Sequence, residues 1–248
     1  MRPYYEDAAV KIYHGDAREL MLELPADDYV TIADPPYEET KLKWDKWQDG
    51  WPSIVAHVSK TMWCFGSFRM FMANIGEFDQ WTFSQDVIWE KHNGSGAHAD
   101  RFRRIHETAV FFYRKGCAWS GLYHTVPLTM DGTKKRVKRR TQPPNWSTIG
   151  TGTFISEEGG PRQVGSVIYC RSCHGHAIHD TQKPEGIVRP LMEYASPPGG
   201  VILSPFMGSG TDLRVAKDSG RRAIGIDSNE ENCEKAANRM SQSSLAIA

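Results

Sequence analysis

Apolar and polar positions alternate over Val10-Lys11-Ile12-Tyr13, the period of a short strand with one buried face. Gly15-Asp16 breaks the alternation, and residues 17–24 read as a helix stopped by Pro25. Tyr29-Val30-Thr31-Ile32-Ala33 is a buried strand that runs straight into Asp34-Pro35-Pro36-Tyr37. Two successive prolines remove two ladder donors, so the chain must turn there. Residues 38–52 are polar around Trp44, Trp47 and Trp51 and read as a mobile loop. Residues 61–65, 86–89 and 107–113 have strand composition, and 67–75 fits a helix. From 114 to 178 the periodicity is lost among Gly, Pro, Ser, Thr and basic residues, which predicts an insertion of short strands and loops.

Order resumes at Pro184, suited to a first helical position, in a helix to about Ala195 that Pro190 should bend. Residues 200–203 are a strand, 205–211 a glycine-bearing turn, and 212–219 a helix closed by Gly220. A strand over 222–226 ends at Asp227, and Ser228 is placed to cap a helix over 229–240. Strand and helix alternating in this order predict an α/β fold: a mostly parallel central sheet, helices on both faces, and ligands at the carboxyl ends of the strands.

The chain has 248 residues, enough for one such domain with an inserted subdomain. Its 40% hydrophobic and 11% aromatic content excludes a disordered or fibrous class. No apolar run approaches the ~18–20 residues of a membrane span, and the first residues carry no apolar signal segment. Five cysteines, an odd number scattered at 64, 117, 170, 173 and 233, read as reduced thiols, so a cytoplasmic protein is expected. Cys170 and Cys173 form a lone Cys-x-x-Cys pair crowded by His174 and His176, a spacing that does not match a zinc site, and no metal is expected.

Lys plus Arg and Asp plus Glu each number 30, so the chain is neutral as a whole. The neutrality is an average. Residues 1–60 hold 7 basic and 12 acidic residues, a net of −5, and residues 100–140 hold 11 and 3, a net of +8. The densest basic run is Lys134-Lys135-Arg136-Val137-Lys138-Arg139-Arg140. Such a run fits a solvated loop as well as a surface that tracks a phosphate backbone.

Two segments carry candidate chemistry. Phe206-Met207-Gly208-Ser209-Gly210 joins a strand to a helix, where glycines let the backbone approach a ligand closely. Asp227 follows Gly210 by 17 residues at the end of the next strand, a spacing that places a carboxylate on ribose hydroxyls. The full Gly-x-Gly-x-x-Gly pattern is missing, which favours a mononucleoside ligand over a dinucleotide. In Asp34-Pro35-Pro36-Tyr37, the carboxylate and the Pro35 carbonyl can each accept a hydrogen bond from an exocyclic amine. Two acceptors would turn the nitrogen lone pair toward an electrophile, and Tyr37 would stack on the base.

Together these motifs closely resemble the S-adenosylmethionine-dependent DNA amino-methyltransferases, over roughly residues 10–113 and 176–240. The catalytic motif precedes the cofactor motif, as in the circularly permuted β group with its Rossmann-like fold. His14-Gly15-Asp16 resembles the short motif ahead of the catalytic strand, which implies Asp16 near the cofactor's adenine. His179-Asp180-Thr181-Gln182-Lys183-Pro184 resembles the His-Pro-Thr-Gln-Lys-Pro signature, with Asp180 departing from the usual proline. That segment holds the methionine end of the cofactor in the family, and Lys183 suits its carboxylate. His106-Glu107 resembles a structural motif at the start of a strand.

The resemblance therefore implies S-adenosylmethionine held by Asp16, Asp34, Thr181, Gln182, Lys183, Phe206, Gly208, Gly210, Thr211 and Asp227. Asp34, Pro35, Pro36 and Tyr37 would act on an adenine flipped out of double-stranded DNA, with direct in-line transfer of the methyl group to N6. Residues 1–113 and 176–248 would form the catalytic domain, and 114–175 the target-recognition insertion. Within it, Lys134, Lys135, Arg136, Lys138, Arg139 and Arg140 would bind phosphates, and Gln142, Asn145 or Trp146 would reach bases. Members often form homodimers, although the sequence carries no decisive interface signal. Asp in place of Ser at the motif's first position favours adenine N6 over cytosine N4. No cysteine follows the prolines, so covalent attack on cytosine C5 is not expected. Cytosine-N4 methylation, an RNA or protein methyltransferase on the same fold, and a catalytically degenerate DNA-binding module are the alternatives.

Overall fold

The computed structural model describes residues 1–26, 29–95, 99–139, 151–173 and 182–242. Its described residues divide into a large unit, Met1–Thr125 with Ser166–Ala248, and a small one, Val126–Gly165. The strands of the large unit are β1 (Tyr5–Glu6), β2 (Val10–His14), β3 (Tyr29–Ala33), β4 (Ser59–Gly66), β5 (Trp81–Ser95) and β6 (Arg104–Arg114). The small unit holds β7 (Leu128–Thr129), β8 (Lys135–Arg139), β9 (Gly152–Ser156) and β10 (Arg162–Gln163). Then follow β11 (Val167–Tyr169), β12 (Val201–Ser204) and β13 (Arg222–Asp227) in the large unit. Its helices are α1 (Ala17–Leu22), α2 (Trp51–Val58), α3 (Phe68–Ala73), α4 (Glu185–Ala195), α5 (Thr211–Asp218) and α6 (Glu230–Ser241).

One nine-stranded sheet runs in the order β1-β2-β13-β12-β3-β4-β6-β5-β11. The block β2-β13-β12-β3-β4 is parallel, and β6 is antiparallel to both β4 and β5. The two-residue side-chain period sorts the strands into two cores. Along β4, Trp63 and Phe65 face one way with Val30, Ile32, Phe111 and Ile202, under α4, α5 and α6. Met62 and Cys64 face the other way with Ala33, Val110, Phe112 and Leu203, under α1, α2 and α3. Strands buried on both faces read as continuous apolar runs, as residues 29–33 do. In the first core Trp63 packs on Phe111 at 4.8 Å, with Tyr194 5.2 Å from Phe111.

Several boundaries differ from the sequence reading. The stretch of tryptophans ends in a helix: Trp51 opens α2 with Pro52 in its first turn, and the polar reading stopped at the wrong side of that proline. Strand β5 is fifteen residues long, because its polar half pairs with β6 as one arm of a hairpin. Pro184 is the N-cap of α4 and not its first residue, and Asn229, not Ser228, caps α6 by accepting from Glu231. Helix α4 runs through Pro190, carried by its buried face of Ile187, Val188, Leu191, Met192, Tyr194 and Ala195. Within the stretch of lost periodicity, β11 joins the main sheet beside β5, too short to show a period. In the small unit, β8 pairs with β9 and β7 with β10, and the backbones of Gly132 and Gly160 meet by an N–H···O bond of 3.0 Å.

Gly225, in the middle of β13, is set by packing. A Cβ there would lie 2.5 Å from Met207 Sδ and 2.7 Å from Leu213 Cδ1, both buried. Gly225→Ala should cost about 1–3 kcal/mol of stability in denaturant unfolding, the usual cost of overpacking a core.

Candidate active site

The sheet places its crevice. From β12 the chain crosses through α5 to β13 on one side, whereas from β3 it crosses through α2 to β4 on the other. Connections that part in this way leave an opening beyond the carboxyl ends of β12 and β3. Asp34-Pro35-Pro36-Tyr37 leaves one of these ends and Pro205–Gly210 leaves the other. Between them lies a cleft of about 950 Å³ including its open mouth.

Asp34, Pro36, Gln182, Lys183, Phe206, Gly208, Thr211 and Asp227 all line it, so most of the expected site residues come together. Gly210 caps α5 at φ +72°, a left-handed conformation that suits glycine. Asp16 is spent on structure: it N-caps α1 through Arg18 N–H at 2.8 Å and pairs with the Arg18 guanidinium at 2.7 Å, which lowers its pKa. Its neighbour Ala17 is the residue that reaches the cleft. Arg140, Gln142, Asn145, Trp146, His174, His176, His179, Asp180 and Thr181 lie outside the described residues. Lys134, Lys135, Arg136 and Lys138 are exposed in the small unit, where residues 135–139 form β8.

The Lys183 ammonium is the centre of the Asp34 end of the cleft. It is buried, 2.6 Å from Asp34 Oδ2 and 3.2 Å from Glu107 Oε2. Glu107 also pairs with Lys91 through Oε1. The four charges cancel. Burial would lower the pKa of Lys183, but the charges of Asp34 and Glu107 outweigh it and raise it. Burial would raise that of Glu107, but Lys183 and Lys91 bring it down to about 2. Tyr37 donates to Asp34 Oδ1 at 2.7 Å, and burial followed by the Asp34 charge pushes its hydroxyl well above the usual phenol range. Its ring is half-buried between the two cores, with its hydroxyl turned to the carboxylate. Pro35 is buried.

Two carboxylates shape the loops. Asp45 is buried and accepts the backbone N–H groups of Tyr37, Glu38, Glu39 and Thr40 at 2.7–3.0 Å. Burial opposes its charge, but these bonds prevail and lower its pKa. They also hold Glu38 at φ +56°, which costs an L residue energy. Asp227 accepts from Gly208 N–H at 2.9 Å and from Asn229 N–H at 2.9 Å, so it ties the glycine loop to the next turn while facing the cleft. The tryptophans split in role. Trp51 is buried edge-on against Phe206 at 5.3 Å, Trp47 packs on Trp51, and Trp44 is exposed at the cleft.

Sequence reasoning missed Glu107 as a site residue and missed Asp212. Asp212 is buried in the first turn of α5, lines the cleft, and accepts from Ser204 Oγ at 2.8 Å. Burial, reinforced by the nearby Asp34 charge and only partly offset by Ser204, raises its pKa to about 7. No group of three or more His, Cys, Asp or Glu suited to a metal occurs among the described residues, and no described helix is long and apolar enough to cross a membrane.

A half-buried carboxylate just past one strand end, paired with a buried lysine, faces a glycine loop and the acidic residue that ends the next strand, which defines an α/β protein with a ligand crevice at the carboxyl ends of its strands. The comparisons agree with that class. Residues 29–238 match the family model described as DNA methylase, and the chain belongs to that family. It is 25% identical over 270 residues to the type II methyltransferase M.ScaI of Streptomyces caespitosus, covering 96% of this chain and 84% of that protein. The crystal structure of an M1.HpyAVI–SAM complex shares the fold at TM-score 0.61 and 23% identity, over 93% of this chain and 99% of that one. The PvuII DNA methyltransferase, cytosine-N4-specific, does so at 0.69 and 13%, over 99% and 91%.

The raised pKa of Asp212 has a consequence for stability. Between pH 4 and 7 the folded protein keeps a proton that the unfolded chain has lost, so this group's contribution is complete below about 4 and is lost as pH rises through 7. Asp212→Asn, neutral at all pH, should match the wild type near pH 4. It should exceed it in unfolding free energy by up to a few kcal/mol at pH 8.

Proposed function

We propose that the protein is a β-group DNA adenine-N6 methyltransferase that uses S-adenosylmethionine. The observation that carries this reading is Asp34, fixed by Tyr37 and Lys183 on the wall of the cleft that the glycine loop also lines. S-adenosylmethionine supplies an electrophilic methyl group when bound. The residues fit its chemistry: Asp227 faces the cleft as an acceptor for ribose hydroxyls, the backbone at Gly208 allows close approach, and Gln182, Thr211 and Asp212 offer polar groups along the wall. An ammonium has three donors, and Lys183 gives one to Asp34 and lies within ion-pair distance of Glu107, which leaves donor capacity for a cofactor carboxylate.

Each oxygen of Asp34 has a second lone pair beyond its bond to Tyr37 or Lys183. One of these accepts from the exocyclic amine of a flipped base, and the Pro35 carbonyl accepts the other amine hydrogen. Orienting the amine in this way aims its lone pair at the electrophile, and the fixed carboxylate stabilises positive charge growing on nitrogen. Carboxylates are weak bases at neutral pH, so the proton passes to water after transfer. The exposed residues of the basic run, on and beside the β8–β9 ribbon, supply phosphate contacts, and the small unit reads the target in double-stranded DNA. A two-stranded ribbon is of a size that the major groove admits.

The second reading is cytosine-N4 methylation, because the PvuII enzyme that shares this fold is cytosine-N4-specific. The relative M.ScaI is a type II methyltransferase, which supports a place in a restriction–modification pair. Methylation-aware sequencing and nucleoside mass spectrometry of DNA from expressing cells test all of these together. We expect N6-methyladenine in one short motif, absent in Asp34→Ala, whose cofactor affinity stays within a few-fold. N4-methylcytosine would establish the second reading, and full activity of Asp34→Ala would refute the site.

A further inference from the structure

The β5–β6 hairpin extends past the sheet on the catalytic side. Gly66, the last residue of β4, pairs with Thr108, so residues 104–107 of β6 and their partners on β5 continue beyond the end of β4. That end is the one beside Asp34, because Ala33 at the close of β3 pairs with Cys64. The root of the hairpin is anchored in the site twice. Glu107 binds Lys183, and Arg104 Nη1 donates to Glu39 Oε2 at 2.7 Å, two residues beyond Tyr37. Phe102 stands five residues from Glu107, within about 17 Å of it at ~3.4 Å per residue.

The tip reads Asp100-Arg101-Phe102-Arg103. Phe102 is 101% exposed, so its ring contributes nothing to either core. Both arginines beside it are exposed, and Arg101 pairs with its equally exposed neighbour Asp100 at 2.7 Å, an interaction weak enough to exchange for a phosphate. A bare aromatic ring between two guanidiniums matches a duplex with a disrupted stack: the ring has bases to stack on, and the cations have phosphates on either side.

We propose that this tip is a second DNA-contacting element, with Phe102 entering the base stack where the target base has swung out and Arg101 and Arg103 holding the flanking phosphates. The proposal rests on the reading of the protein as a base-flipping DNA methyltransferase. Its occupant is duplex DNA, favoured over a second copy of the chain by the positive charge around the ring and by the position beyond the catalytic edge.

The test compares two duplexes bearing the site found by sequencing, with 2-aminopurine beside the target base. In one the target is paired, and in the other it faces an abasic nucleotide and needs no partner displaced. Phe102→Ala should lose at least tenfold in kcat/KM and most of the fluorescence rise on the paired duplex. On the abasic duplex it should lose less than threefold, and Phe102→Trp should recover most of the loss. Arg101→Ala with Arg103→Ala should weaken binding of both duplexes and flatten its salt dependence. Equal effects of Phe102→Ala on the two duplexes, or none, would overturn the proposal. So would a change in sedimentation that marks the tip as a contact between copies. A wild type that methylates neither duplex would refute the underlying function, and a wild type active on both with an unimpaired Phe102→Ala would refute the tip alone.

Discussion

The site depends on one buried ammonium shared by two carboxylates. Lys183 precedes α4, Asp34 follows β3, Glu107 lies on β6, and Lys91 on β5 completes the set. Such a group is expensive to bury, and it persists only when every member is paired. Removing one charge leaves another uncompensated, so the four positions must be held together. Asp34 and Lys183, 149 residues apart in the chain, are thereby fixed to a single geometry. The arrangement also keeps two anions beside the cleft without net charge, which leaves Asp34 able to accept from an amine while its position is set.

A second device recurs around this centre. After β3 and after β12, the chain must hold an irregular loop whose backbone donors have no strand to pair with. Asp45 collects four of those donors from the loop behind Tyr37, and Asp227 collects that of Gly208 from the other. In each case a carboxylate brought from farther along the chain replaces the missing ladder. Both loops are thus set by carboxylates from farther along the chain, and Asp227 serves both its loop and the cleft.

Legibility followed locality. The double proline after a buried strand, the glycine loop between strand and helix, and the acidic residue that ends the next strand are signals written within a few residues, and the cleft unites them. Glu107 reads in the sequence only as part of a structural motif, because its place in the ion-pair cluster comes from the register that sets β6 beside β5 and from the approach of Lys183 from a distant segment. Asp212 follows a glycine loop where a first-turn carboxylate reads as ordinary helix capping, and only burial reveals its altered proton affinity. Asp45 lies in a polar stretch whose composition reads as a mobile loop, although it is the residue that fixes that loop. Trp51 opens a helix and packs edge-on against Phe206 behind the cleft wall, while Trp44 stays at the cleft.

We propose that Lys183 serves Asp34 first and bound S-adenosylmethionine second. Single-turnover methyl transfer by Lys183→Met at saturating S-adenosylmethionine, with cofactor affinity measured separately by calorimetry, tests it most directly. A transfer rate at least tenfold below wild type is expected, with cofactor affinity changed less than about fivefold, roughly 1 kcal/mol. An unchanged rate in the bound complex, with affinity lowered fiftyfold or more, would show the ammonium to be a cofactor anchor and contradict it.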